Sequence, residues 1–150
     1  MDTDLRWVKY GSPEYQQALA LRYRLFYQEH GIPLAAIAAD LEQQGDHAVI
    51  TNVPEHRVLA YARLAQNSLT ECQIYQMVVE PEYQGRGLGK RILQDLIDRA
   101  ITLGATTLIL DARVMKMGFY QKFGFEPIGE IFPSVMTGIK HIKMQKKLMN

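Results

Sequence analysis

At 150 residues, 47% of them apolar, the chain is long enough for one domain with a real core, expected to span 1–150. Lys and Arg total 17 against 16 Asp and Glu, a formal charge of +1, so no broad basic field exists to hold nucleic acid or an anionic membrane. The lone cysteine, Cys72, excludes an internal disulfide framework and a cysteine metal cluster; with no apolar run near ~18 residues and no signal peptide behind Met1, cytoplasm is expected.

Leu5 to Lys9 reads as a short first strand. Ser12 is placed to cap a helix with Pro13 at its first position. Ala18, Leu21, Leu25 and Phe26 recur at helical spacing from Tyr15 to His30, and Gly31 can end the run. Ile32 to Asp46 carries no clear period. His47 to Val53 and Arg57 to Ala65 predict an antiparallel hairpin, and Glu71 to Val79 a further strand. Leu88, Ile92, Leu93, Leu96, Ile97 and Ala100 share one helical stripe, the clearest in the chain. Ala105 to Ala112 is a near-continuous apolar run, as in a strand buried on both faces. A short helix over Met115 to Phe123 and two closing strands, Phe125 to Phe132 and Ile139 to Leu148, complete the order β-α-β-β-β-α-β-α-β-β. This is an α/β (α+β) class with a mixed sheet. The lysines at 140, 143, 146 and 147 read as a solvated strand face.

The most informative stretch is Gln84-Gly85-Arg86-Gly87-Leu88-Gly89-Lys90, between a strand and the start of an amphipathic helix. Glycines let the backbone approach a ligand, and the first N–H groups of a helix lack internal partners, so the stretch is suited to phosphate. A Walker loop fails here, because Gln84 stands at its first Gly position and Arg91 follows Lys90. The dinucleotide pattern fails too, because Lys90 stands where its last Gly belongs. The pattern Q/R-x-x-G-x-G/A is met by Gln84, Gly87 and Gly89 and fits the diphosphate of coenzyme A.

With Met77-Val78-Val79-Glu80-Pro81-Glu82-Tyr83 before the loop, the stretch resembles motif A of the GNAT acetyltransferases. Gly118-Phe119-Tyr120-Gln121-Lys122-Phe123-Gly124-Phe125 resembles the motif B of that family, at the expected separation. Arg22 to Glu29, Asp46-His47, and Gly138 to Met144 resemble an ElaA-type branch. The chain departs from the family pattern at Arg113, where many members have Asn, and at Lys116, where they have Ala.

The resemblance implies a mostly antiparallel sheet with two splayed central parallel strands flanked by helices. It also implies direct acetyl transfer from acetyl-CoA to a primary amine, with no metal. Met77, Val78, Val79, Gln84, Gly85, Arg86, Gly87, Leu88, Gly89 and Lys90 would hold the co-substrate. Tyr120 would be the general acid at the departing sulfur. The base stays open among His47, His141 and Glu71, with Asp46 and Asp111 as further candidates. The acceptor would be a small-molecule or peptide amine, and a homodimer is compatible with the pattern. Two alternatives share the fold: a non-catalytic acyl-CoA-binding or sensing module, and an acyl-CoA-using signal synthase.

Overall fold

The computed structural model describes residues 2–37 and 43–148. Seven strands form one sheet in the order β1-β2-β3-β4-β5-β7-β6. They are β1 (Thr3–Val8), β2 (Asp46–Asn52), β3 (Val58–Gln66), β4 (Glu71–Val79), β5 (Thr107–Arg113), β6 (Glu126–Pro133) and β7 (Lys140–Lys147). Among the described residues only β4 and β5 run parallel. Among the described residues three α-helices accompany them: α1 (Pro13–Arg22), α2 (Leu88–Thr102) and α3 (Met117–Gln121). The order matches the sequence expectation.

Alternation along the strands sorts the core onto two faces. Ala48, Ile50, Ala60 and Ala62 meet the α2 stripe of Leu88, Ile92, Leu93, Leu96, Ile97 and Ala100. Val49, Tyr61 and Val78 point the other way and meet Tyr15, Ala18, Leu19 and Leu21 of α1. Each fully buried Leu or Ile contributes roughly 1.5–3 kcal/mol. Ser12 caps α1, its hydroxyl accepting from the Tyr15 N–H at 3.2 Å, with Pro13 at the first turn.

The helix expected from Tyr15 to His30 is one helical run in three pitches. After Arg22 it widens to a π-helical turn over Tyr23–Tyr27 and tightens to a 3-10 turn over Gln28–His30. Gly31 stops it with φ +69°. The unreadable Ile32–Asp46 stretch contains a 3-10 turn at Leu34–Ala36, and its residues 38–42 lie outside the described residues. The apolar run near Ala105 is a strand over Thr107–Arg113 in which Leu108, Ile109 and Leu110 are buried but Asp111 is exposed. It is therefore not covered on both faces at its far end.

That far end positions the site. β5 pairs with β7 along its whole length, from Thr107↔Lys147 to Arg113↔His141. It pairs with β4 only from Glu71↔Thr107 to Ile74↔Leu110. On its other side β4 bulges: Tyr61 opposes Val78 and Arg63 opposes Tyr75, so β4 holds one extra residue, and Gln76 takes φ +56°. A bulge adds local twist and bends its strand. Thus β4 veers from β5 beyond Ile74, and a V-shaped gap opens between two parallel strands.

Candidate functional site

The gap is the mouth of a cleft of about 810 Å³, a volume typical of sites for small ligands and cofactors. β4 residues 73–79 form one wall, and residues 110–113 of β5 form the other. Beyond Ile74 the edge of β4 facing β5 is free of strand pairing, so its backbone can hydrogen-bond an extended ligand.

The glycine loop closes one end. β4 stops at Val79, where Glu80 is buried and its carboxylate ties two arginines, Arg24 and Arg57. Pro81 starts a single 3-10 turn to Tyr83. The Gln84 side chain then donates to the Val79 carbonyl at 3.2 Å, pinning the loop to the strand it leaves. Gly85 and Gly87 have φ +80° and +84°, a region that side-chain-bearing residues rarely adopt. A Cβ at either would meet nothing within 4 Å, so the backbone lies open to the cleft. Gly87 is also the N-cap of α2 and carries no side-chain cap, which leaves the first N–H groups of that 15-residue helix for a ligand. Gly89 differs. It sits in the first turn of α2 without a positive φ, and a Cβ there would make ordinary contacts, 3.5 Å from the Phe119 ring and 3.7 Å from Val79, so neither backbone nor space demands a glycine. The loop therefore fits a diphosphate. Of the ten residues expected to hold the co-substrate, Arg86 alone does not line the cleft; its guanidinium lies 5.1 Å from the Tyr83 ring.

Tyr120 comes from α3. Its ring is 9% exposed, edge-on to Phe119 and Phe125 at 5.2 and 5.9 Å, and its hydroxyl points to the Met77 sulfur at 3.9 Å. The phenol thus reaches across the gap to β4. Burial pushes its pKa up to about 12, so it is a proton donor throughout the neutral range.

The base candidates separate cleanly. His141 lines the cleft; its Nδ1 lies 2.8 Å from the Ile139 carbonyl and its ring stacks on Phe132. A carbonyl only accepts, so Nδ1 carries the proton and Nε2 is left as an acceptor. Asp111 also lines the cleft, 3.6 Å from the Lys143 ammonium. Glu71 lies at the opposite end of β4 and accepts from the Asn67 side chain at 3.1 Å. His47 is enclosed by Tyr10, Tyr15 and Tyr61, with Nδ1 2.8 Å from the Tyr61 hydroxyl. Asp46 is held by Arg99 at 3.0 Å, and Arg99 rests on Trp7. Asp46 and His47 border a separate cavity of about 320 Å³. Cys72 is fully buried against α2, and burial pushes its thiol pKa up, so it is inert core.

A splayed parallel pair, a glycine loop at a helix start and a tyrosine across the gap together match a known fold, and the sequence model of the acetyltransferase (GNAT) domain matches residues 14–148. The chain belongs to the GNAT acetyltransferases. Glucosamine 6-phosphate N-acetyltransferase of Trypanosoma brucei brucei is 31% identical over 105 residues, 63% of this chain and 69% of that protein. The chain spans only 36–49% of the length of the first curated relatives it matches. Escherichia coli ElaA superposes with TM-score 0.78 at 23% identity, covering 97% of this chain and 100% of that one. A GNAT acetyltransferase from Elizabethkingia anophelis with acetyl-CoA bound superposes at 0.72 with 15% identity, covering 97% and 98%. At these identities both likenesses are of fold.

The GNAT motifs account for one side of the cleft only. The other is lined by Leu25, Phe26 and Tyr27 of the π turn, by Tyr75 and Gln76 of β4, and by Phe132, Ser134, Val135 and Thr137 of the β6–β7 hairpin. Sequence reasoning missed these. The aromatic run at 23–27 was a signal, because Tyr23, Phe26 and Tyr27 stand at i, i+3 and i+4, a helical spacing that gathers three rings on one face. Tyr27, the last residue of the π turn, reaches β4, where its hydroxyl donates to the Gln76 side chain at 3.1 Å.

Proposed function

We propose that this chain transfers an acyl group, acetyl in the first instance, from acyl-CoA to a primary amine by direct attack. The observation that carries the proposal is the V-shaped gap, with an open glycine loop at one end and the Tyr120 hydroxyl at its centre. The diphosphate would lie on the backbone of Gly85, Gly87 and the first turn of α2. The pantetheine arm would run along the unpaired edge of β4 near Met77 and Val79, where a backbone N–H can polarise the thioester carbonyl.

In the reaction the amine loses a proton to Nε2 of His141, directly or through one water. Its nitrogen, now a neutral amine, bonds to the thioester carbon, the C–S bond breaks with its electron pair leaving on sulfur, and the nitrogen gives its second proton to solvent as the neutral amide forms. Tyr120 meets that pair. Burial keeps the Tyr120 phenol protonated, so its hydroxyl protonates or hydrogen-bonds the departing sulfur, and any proton it gives is restored from solvent. The acceptor is a small-molecule or peptide amine, and the setting is the cytoplasm.

Two measurements test this. Acetyl-CoA should raise the melting temperature more than NAD or ATP does, since a ligand of the native state stabilises by mass action. A thiol-release screen with acetyl-CoA against an amine library should find an acceptor. A larger shift with NAD sinks the co-substrate assignment. Acetyl-CoA binding with no acceptor in a broad library favours the non-catalytic module instead.

A further inference from the structure

The cleft has a second side that acyl-CoA does not account for. On β5, Leu108, Leu110 and Ala112 are buried in the α2-side core, so Asp111 and Arg113 project the opposite way. Antiparallel register sets Lys143 against Asp111 and His141 against Arg113, so these four side chains share that side. Phe26, which packs with the α1-side core, lies beneath the Arg113 guanidinium at 4.7 Å.

The two β5 charges are treated differently. Asp111 has its counter-ion in Lys143, 3.6 Å away. Arg113 lines the cleft, is half-buried, and among the described residues has no Asp or Glu within ion-pair distance; its guanidinium rests on the Phe26 ring. Stacking fixes a guanidinium without neutralising it and leaves its planar N–H edge free, the geometry that matches carboxylate or phosphate.

We propose that Arg113 is the anion subsite of the acceptor, so that the amine acylated here carries a carboxylate or phosphate in the same molecule. This rests on the acyl-transfer reading above. Residues directly opposed across an antiparallel ladder have Cβ atoms roughly 4.5–5.5 Å apart. An anion on Arg113 thus leaves an amine a few bonds away beside His141. A polycation would instead meet Arg113 and Lys116 on the cleft wall, with Asp111 already engaged.

The test compares matched acceptors with acetyl-CoA: the common L-amino acids against their amides, O-phosphoethanolamine against ethanolamine, and spermidine. Binding of the same compounds without acetyl-CoA is read by calorimetry. The best anionic amine should exceed its neutral partner by on the order of 10- to 100-fold in kcat/KM, the worth of one charge-assisted hydrogen-bonded contact. In Arg113→Met, which keeps an apolar stem on Phe26, that ratio should fall to near one, and Arg113→Lys should restore part of it. The carboxylate and phosphate arms identify which anion is taken. Equal or better use of neutral amines or spermidine overturns the proposal. So does an unchanged ratio in Arg113→Met, or a variant that loses acetyl-CoA affinity but keeps the preference. Binding of acetyl-CoA with none of the panel bound or acylated also overturns it. Absence of acetyl-CoA binding, with the anion preference intact in calorimetry, leaves the subsite standing and sinks the acyl-transfer reading alone.

Discussion

On the α2 side, the cleft wall is regular structure joined to the core. The α2 stripe is wholly buried, Tyr120 is wedged between Phe119 and Phe125, and the glycine loop is tied back by Gln84. On the α1 side, the wall is a π turn, a bulged strand and the hairpin of β6 and β7. Every residue of β6 is exposed, and Val135 at the hairpin tip stands fully in solvent. A wall locked into the core can hold one ligand geometry and tolerates little change. The exposed side chains of the hairpin can vary without unfolding the domain. The fixed side suits a co-substrate shared by a family, and the variable side suits a private acceptor.

If the sides divide the chemistry in this way, substitutions on each should change different constants. His141→Gln carries the largest expected effect. It keeps a polar group beside Phe132 but replaces an imidazole acceptor with an amide that is no base. We expect kcat/KM for the amine to fall on the order of 10²-fold at neutral pH, the lower range for general base catalysis, with acetyl-CoA affinity unmoved. Initial-rate kinetics at varied amine concentration decide it. A variant at the wild-type rate would hand the base role to Asp111, the other carboxylate or imidazole on the cleft wall.

Tyr120→Phe follows, with kcat lower by roughly 10- to 100-fold and acetyl-CoA dissociation unchanged. That equals about 1.4–2.7 kcal/mol of transition-state stabilisation, in line with one lost hydrogen bond to a developing charge. Stopped-time product assays at saturating acetyl-CoA separate this from ground-state anchoring, which would weaken affinity and spare the saturated rate.

Gly87→Val probes the fixed side from its other end. Its Cβ meets nothing, so the cost to folding is backbone strain at positive φ, roughly 1–3 kcal/mol. The added side chain lies over the backbone that would face the diphosphate, and acetyl-CoA affinity should drop by about 10-fold. Gly104→Val is the control: its φ is +90°, its Cβ is equally open, and it lies outside the cleft at the end of α2. Equal losses of affinity in both variants would assign the effect to strain.

The legibility of the sequence follows the same division. Motif residues on the α2 side could be read because each obeys a local rule: a stripe at period 3.6, glycines before a helix, a run ended by Gly104. The gap itself could not. It arises because β5 pairs fully with β7 while β4 bulges at Gln76, and pairing registers between distant segments leave no local pattern. The base shows the limit well. His47 and His141 are equivalent as letters, and only the fold puts His141 in the cleft and His47 in an aromatic enclosure; Glu71, at the start of the strand predicted from Glu71 to Val79, was legible as lying away from the glycine loop. Arg113 was legible as a departure from the family pattern, but its place over Phe26 depends on the π turn.

The smallest effect concerns the burial of Tyr120, and its sign can be worked out. The folded phenol titrates at about 12 because burial disfavours phenolate, while in the unfolded chain it titrates near ~10. A group whose folded pKa is raised contributes stability that is fully present below the unfolded value and is lost as pH rises through the folded one. Between pH 10 and 12 the unfolded state therefore gives up its proton while the folded state keeps it. At pH 11 the loss relative to neutral pH is about 1.4 kcal/mol, a few degrees of melting temperature for a domain of this size. Tyr120→Phe removes this one titration. Relative to wild type, the variant should become progressively less disadvantaged as pH rises from 9 to 11.5, by that amount at pH 11. Paired thermal melts across this range measure the difference, and other alkaline titrations cancel between the two proteins. Parallel curves would mean that Tyr120 reaches water, and a phenol in water could not be the buried donor that the fixed side of the cleft requires.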